Sequence, residues 1–440
     1  MTASCLCKVN RGETLSDKVE ISLPYGNKTI PIEIPSRNLL CVLEPTDLPC
    51  VRNEKLEIIR ALENPIASLK LSDMVTQGDK VVIISDDNTR VTPTQLIVPV
   101  ILDMLNEAGV EDENIKVIVA LGTHRLMTHS EFRQKFGEQV LKRVEVENHE
   151  FTDHNKLVEL GVTPNGTPIS INKEVVEADV KIGIGNIVPH FICGWAGGAK
   201  IIQPGVSGEE TTAATHLLCV RTRKPLLGSV ENVVKREMES IAQKIGLDMI
   251  VNTVLNRTGK VVKVVAGDVV EAARKGIDAA KDIYCVKTPA KADIVLASSH
   301  PCDLDFWQAH KTLFSADLAV RDGGTIIIVT PCLEGVSRMH PEILEIGKLA
   351  PEEVNRKLKQ GEIKDQIGGA FAIAWGLIKK RAKVIMVSQG ILASDASQLG
   401  FDYADTAKMA LNKAFTRHGR NAKVAVLTHA PDMVPTVTRC

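Results

Sequence analysis

Short runs of β-branched and aliphatic residues alternate along the chain with longer stretches of helical periodicity, and that alternation restricts it to layers of parallel α/β structure. The clearest strands are VVIIS (81–85), IKVIVAL (115–121) and ADVKIGI (178–184), followed later by ADIVLAS (292–298), TIIIVT (325–330), KVIMVS (383–388) and KVAVLT (423–428). Two intervening helical patterns, TQLIVPVILDMLNEAG (94–109) and ENVVKREMESIAQKIG (231–246), end on Gly109 and Gly246, where a helix C-cap belongs. With 440 residues the chain has room for two lobes, each with its own core. CVKTPAK (285–291) has the Pro and small polar residues of a hinge. The expected organisation is an N-terminal α/β domain (1–285) and a C-terminal α/β domain (286–415), with the active site in the cleft between them. The strand in the last segment (416–440) is open to rejoin the first lobe.

Composition excludes several classes. Lys plus Arg (53) nearly balances Asp plus Glu (54) and aromatic residues are 3%, so neither a basic nucleic-acid footprint nor a base-stacking platform is present. The N-terminal MTASCLCKVNRGETLSDKVE lacks an apolar core, and no uninterrupted apolar run is long enough to span a bilayer, so a cytoplasmic protein without a membrane partner is expected. Ten scattered cysteines fit free thiols in a reducing compartment. Cys5 and Cys7 read as part of a loose terminus rather than a metal site.

Chemistry-bearing residues come directly after three strands: Asp86–Arg90 after VVIIS, Gly122–Arg125 after VIVAL, and the long loop NIVPHFICGWAGGAKIIQPG after KIGIG. Open α/β sheets bind ligands at such carboxyl ends. Taken singly, Asp87 to Arg90 reads equally well as a capped turn, His124 as a satisfied side chain and Gly197-Gly198 as a tight turn. Their equivalent positions in one layer argue for a shared crevice.

Two phosphate motifs fail. Gly183 and Gly185 are followed by Val188 where a dinucleotide fingerprint needs its third glycine, and Lys200 lies between Ala199 and Ile201, which is not a P-loop. A lysine in a glycine-rich, otherwise apolar setting loses its proton easily and suits a covalent or nucleophilic role. In the second half, DLDFWQAHKTLFSADLA reads as a helix on which Gln308 and Lys311 share a face, able to grip a carboxylate, although an isolated Gln and Lys are more often a solvated pair. His300 and Cys302 match no zinc spacing, and His149 and His154 read as surface residues.

Together these segments resemble the nickel-dependent lactate racemase family, in motif form from about residue 80 to about 315. The diagnostic piece is His190, Lys200 and His216 around a glycine-rich turn and the run QPGV. The resemblance implies a nickel-pincer nucleotide, a pyridinium-3,5-bisthiocarboxylic acid mononucleotide, attached covalently at Lys200 beside Gly197 and Gly198, with His216 as the protein ligand to nickel. It makes His124 and His190 the paired acid/base histidines, matches Asp87 and Arg90 to the family's DxTR motif, and matches Gln308 and Lys311 to its QxxK substrate helix. It also implies partner enzymes that synthesise the cofactor. The oligomeric state is left open, a homo-oligomer included.

The chemistry is coherent. A carbon bearing both hydroxyl and carboxylate is too weakly acidic for an imidazole to take its proton, so hydride transfer is the easier route to racemising or epimerising a 2-hydroxy acid. Arg90 would fork the carboxylate and Lys311 would add a point charge, while two histidines serve the two configurations. Departures bear on the substrate. The turn is Gly194-Trp195-Ala196-Gly197-Gly198-Ala199-Lys200 where the family commonly has Gly-Phe-Ser-Gly-Gly-Arg-Lys, and Trp307 replaces a usual Tyr. Trp375 or Ile367 occupies the place of a later tryptophan. A 2-hydroxy acid other than lactate, with a larger or more polar C3 group, is expected. The rival readings are a zinc-dependent hydrolase using His124, His190 and His216, which leaves Lys200 without a task, and a non-enzymatic sugar- or nucleotide-binding module.

Overall fold

The computed structural model describes residues 18–438. Its frame is two six-stranded sheets. In the first, the spatial order is Val261–Gly267, Met249–Leu255, Val180–Asn186, Val81–Asp86, Ile115–Ala120 and Glu145–Asn148, all parallel except the antiparallel edge strand Val261–Gly267. In the second, the order is Asp402–Tyr403, Lys383–Ser388, Val320–Thr330, Ala292–Ser298, Val424–Leu427 and Leu39–Leu43, all parallel. The inner strands form because they are apolar on both faces: every residue of Val81–Ser85 and of Met249–Leu255 is buried, as parallel strands under helices require.

Local signals set the helices. Asn232 accepts from the Lys235 N–H at the start of Val233–Ile245, and Gly246 closes that helix in the left-handed region (φ 75°). Thr128 and Glu131 form a reciprocal capping box at the start of His129–Arg143. Gly109, at φ +95°, comes just after the helix Thr94–Glu107.

Three expectations are corrected. The strand near 423–428 does not rejoin the first lobe: Val424–Leu427 lies inside the second sheet, between Ala292–Ser298 and Leu39–Leu43. It is the N-terminal segment that crosses, covering an edge that would otherwise be open. Its hairpin Lys18–Tyr25/Lys28–Pro35 buries Leu23 and Ile34 against Ile294, Leu296, Ile327 and Val329. The hinge at 285–291 begins as a strand, Cys285–Thr288, paired in parallel with Val434–Val437. His149 is fully buried rather than on the surface. Its Nε2 lies 2.9 Å from the Ser207 carbonyl and its Nδ1 3.3 Å from the Asn172 amide nitrogen, so two buried polar groups offset its burial, and His154 is the exposed one. Cys5 and Cys7 lie outside the described residues.

In each sheet the chain direction of winding reverses at a central strand, Val81–Asp86 in one and Ala292–Ser298 in the other. Such a reversal opens a crevice at the carboxyl ends. The loops leaving these two strands meet each other, and the site lies there.

Candidate active site

A cavity of about 100 Å³ between the lobes collects the polar clusters from both sheets. Asp87, Arg90, His124, His190 and Lys200 reach it from the first lobe, with His216 on the helix Glu209–Arg221, and Gln308 and Lys311 from the second. Gly197 and Gly198 line it as well.

The loop after Val81–Asp86 is pinned from beneath. Lys135, buried, places its Nζ 2.9 Å from Asp86 Oδ1 and 2.8 Å from the Arg90 carbonyl. Thr89 Oγ1 donates to Asp87 Oδ1 at 2.5 Å and accepts from Arg90 Nη1 at 2.7 Å, which aims the guanidinium into the cleft. Asp87 Oδ2 lies 2.6 Å from His124 Nδ1. Burial alone would push the Asp87 carboxyl up, but the His124 imidazole and the Arg90 guanidinium hold it well below the usual range. Burial pushes His124 down, so the resting ring is neutral, with Nδ1–H donated to Asp87 and the Nε2 lone pair turned to the cavity.

Gln308 joins the parts across the cleft. Its Nε2 lies 2.9 Å from His124 Nε2, and its Oε1 accepts from Lys311 Nζ at 2.5 Å and from Arg90 Nη1 at 3.3 Å. Two cations from different lobes therefore converge on one oxygen, beside the Nε2 edge of the His124 imidazole. Gln308 sits in a short helix, Phe306–Ala309, and Lys311 opens the next, Lys311–Ala319. Burial first, then the Arg90 charge, brings the Lys311 ammonium down to about 8.

Lys200 sits in the turn Gly198–Ile201. Gly197 (φ +82°) has to be glycine, because a Cβ there would lie 2.7 Å from Ile187 Cγ1 and 2.8 Å from Asn252 Oδ1. The same Asn252 oxygen accepts the Gly198 N–H at 2.7 Å, which holds the turn on the sheet and directs Lys200 at the cavity. Burial, then Arg90, lowers the Lys200 amine to about 7, a nucleophile ready at neutral pH. His216 Nδ1 lies 2.7 Å from the Thr212 carbonyl, which makes it the donor and leaves Nε2 as a lone pair for the cavity. Burial brings that imidazole down to about 4. His190, stacked on Phe191, accepts the Ile192 N–H at Nδ1 (3.3 Å) and has only Nε2 for the cavity; burial and the Lys200 charge push it well below the ordinary histidine value.

Not every expected residue arrives. Trp195 is fully buried away from the cavity, its Nε1–H donated to the Gly228 carbonyl at 2.9 Å, because the hairpin Pro189–His190/Gly194–Trp195 turns the indole into the first lobe's core. Only Trp307 of the two tryptophans reaches the site, where it stacks on His340 at 3.8 Å. Trp375 and Ile367 are core residues of the helix Gln366–Arg381, and the ring this helix offers the cavity is Phe371. Phe371 carried no sequence signal, being one apolar residue in an apolar helix. His310 also lines the cavity, and its place between Gln308 and Lys311 in the sequence is a signal that could have found it.

Among the described residues, no three His, Cys, Asp or Glu side chains gather to hold a metal by themselves. Among those residues, His124, His190 and His216 do not gather into a three-histidine zinc site. No described helix is long and apolar enough to cross a membrane.

Two parallel α/β lobes close on a cationic, histidine-lined cleft. Residues 25–227 match the lactate racemase N-terminal domain and residues 287–434 the lactate racemase C-terminal domain. The lactate racemase of Lactiplantibacillus plantarum is 30% identical over 419 residues, 93% of this chain and 98% of that one. That of Thermoanaerobacterium thermosaccharolyticum is 32% identical over 321 residues, 72% of this chain and 75% of its own. Among solved structures, the lactate racemase apoprotein from T. thermosaccharolyticum superposes with a TM-score of 0.84 at 29% identity, covering 95% of this chain and all (100%) of that one. A Thermotoga maritima protein shares the fold, with a TM-score of 0.73 at 22% identity over 90% of this chain and 100% of its own. The chain belongs to the lactate racemase family.

Proposed function

We propose that this protein racemises or epimerises a 2-hydroxy acid with a nickel-pincer nucleotide tethered at Lys200. The observation that carries the reading is the convergence of Arg90 Nη1 and Lys311 Nζ on one oxygen, with His124 Nε2 reached by the same amide group. A substrate carboxylate replacing the Gln308 oxygen would keep both cations paired, and its α-hydroxyl would fall to His124.

The residues fit the implied group. Lys200 presents a buried amine that is partly neutral near pH 7. His216 presents an Nε2 lone pair whose direction is set by Thr212. The Thr212 hydroxyl, one turn away on the same helix, is buried with no partner among the described residues, and Thr212 lines the cavity. When bound, the nucleotide would supply the acceptor and donor of hydride. Soft sulfur donors together with the His216 imidazole would suit nickel.

The protein's own residues do the remainder. Arg90 and Lys311 hold the carboxylate while the α-carbon is planar, so the keto acid can turn about that anchor without leaving. His124, oriented by Asp87, takes and returns the hydroxyl proton on one face. His190, on the opposite loop, serves the other configuration. The aromatic walls Phe191, Trp307 and Phe371 keep water from the planar intermediate.

The test is preparation of the enzyme with the cofactor-synthesis enzymes and nickel, followed by peptide mapping and metal analysis. An adduct on Lys200 is expected. His216→Ala should lose nickel, while His124→Ala and His190→Ala should keep it and lose turnover. An active sample with unmodified Lys200, or equal metal loss in all three variants, refutes the reading.

A further inference from the structure

His310 lines the same cavity, is fully buried, and has no hydrogen-bond partner among the described residues at either ring nitrogen. Its surroundings explain why: Phe371, Phe191 and Trp375 stand with ring centroids 4.6, 5.1 and 5.4 Å away and offer it no acceptor. Burial, reinforced by the positive charge of Lys311, keeps this imidazole well below its ordinary value, so it is neutral at physiological pH. A neutral imidazole has one N–H and one lone pair. Leaving them unmade costs free energy, and a ligand group that reaches one ring nitrogen recovers part of it. A hydroxyl suits whichever nitrogen it reaches, since it can donate to the lone pair or accept the N–H. A carboxylate has no proton to give to the lone pair, and an alkyl group meets neither nitrogen.

We propose that His310 is a specificity-determining residue that hydrogen-bonds a second hydroxyl on the substrate side chain, so that the substrate is a 2-hydroxy acid hydroxylated beyond C2. The assignment rests on the racemase reading above and narrows it. Trp307 and Phe371 frame the subsite, each within ring contact of His310 (centroids 6.1 and 4.6 Å), and leave it as the polar point in an aromatic wall. Arg90 and Lys311 stay with the C1 carboxylate.

Glycerate and lactate differ only by the C3 hydroxyl and make the decisive pair. Cofactor-loaded wild-type enzyme should racemise glycerate with a kcat/KM on the order of 100-fold above that for lactate, since a site built to bond a hydroxyl discriminates strongly against its absence. Calorimetry on the apoprotein should show glycerate binding about tenfold tighter than lactate, without any turnover. His310→Leu should erase both preferences, and His310→Asn, which keeps a donor and an acceptor, should retain part of them. A wild-type kcat/KM for lactate equal to or above that for glycerate, or a preference unchanged in His310→Leu, overturns the assignment and leaves the racemase reading standing. Loaded enzyme that racemises neither these acids nor malate nor phenyllactate overturns the racemase reading, and this assignment with it.

Discussion

Carbamylating the apoprotein with cyanate should modify Lys200 ahead of the surface lysines, with a pH profile of its own. The amine is brought to about 7 by burial and by the nearby Arg90 and Lys311 charges, against 10.5 for a free lysine. At about pH 7.5, roughly three quarters of Lys200 is then neutral, compared with about one in a thousand for an exposed lysine, a ratio of roughly 750. Lower basicity weakens the nucleophile: a Brønsted slope of about 0.45, as for thiolates, takes back roughly 40-fold. The net advantage is about 20-fold near neutrality. Quantitative peptide mapping across pH reads it directly. The Lys200 rate should reach half its plateau near pH 7 and flatten above about pH 8, while surface lysines keep rising. Arg90→Gln should move the midpoint upward. A Lys200 rate that climbs with the surface lysines through pH 9 refutes the electrostatic account of this turn.

The same amine costs stability, because the unfolded chain binds its proton more tightly than the folded one. Stability therefore rises with pH between about 7 and 10.5, and the cost is complete below that window. Lys200→Met should stabilise the apoprotein by at most about 5 kcal/mol in urea denaturation below pH 7, with the gain vanishing towards pH 10. Asp87→Asn, which removes the charge that holds His124 Nδ1–H, should lower kcat of the loaded enzyme by about 10²–10³ with little change in KM; steady-state kinetics showing an unchanged kcat would remove Asp87 from its orienting role. Arg125 is clamped by Glu131 from its own lobe and by Glu334 from the other, both at 2.8 Å. Glu334→Gln should cost about 1 kcal/mol by denaturant unfolding, shrinking at high salt as a partly exposed ion pair does.

Much of this site was written in local sequence. Parallel strands with both faces buried are recognisable as unbroken apolar runs, and the residues just after each run must stand at the carboxyl edge of the sheet. The sequence alone therefore puts Asp87, Arg90, His124, His190 and Lys200 on one rim. The helix ends were legible for the same reason, since the Gly246 cap and the Thr128–Glu131 box act within one turn. Tertiary structure decided the contacts between residues far apart in the chain. Gln308 meets His124 across 184 residues and Arg90 across 218, and neither contact leaves a trace in periodicity. The strand Leu39–Leu43 crosses to the second sheet because the edge at Val424–Leu427 takes it, a fact about the edge and not about the strand. Trp195 and Trp307 look alike as substituted aromatics, yet one is anchored in a core by the Gly228 carbonyl and the other faces the cleft. His149 and His310 are likewise both buried, but Ser207 and Asn172 satisfy the first and nothing among the described residues satisfies the second. Residue type sets what a side chain can donate or accept; whether a partner stands within reach is settled only when the two lobes close on each other.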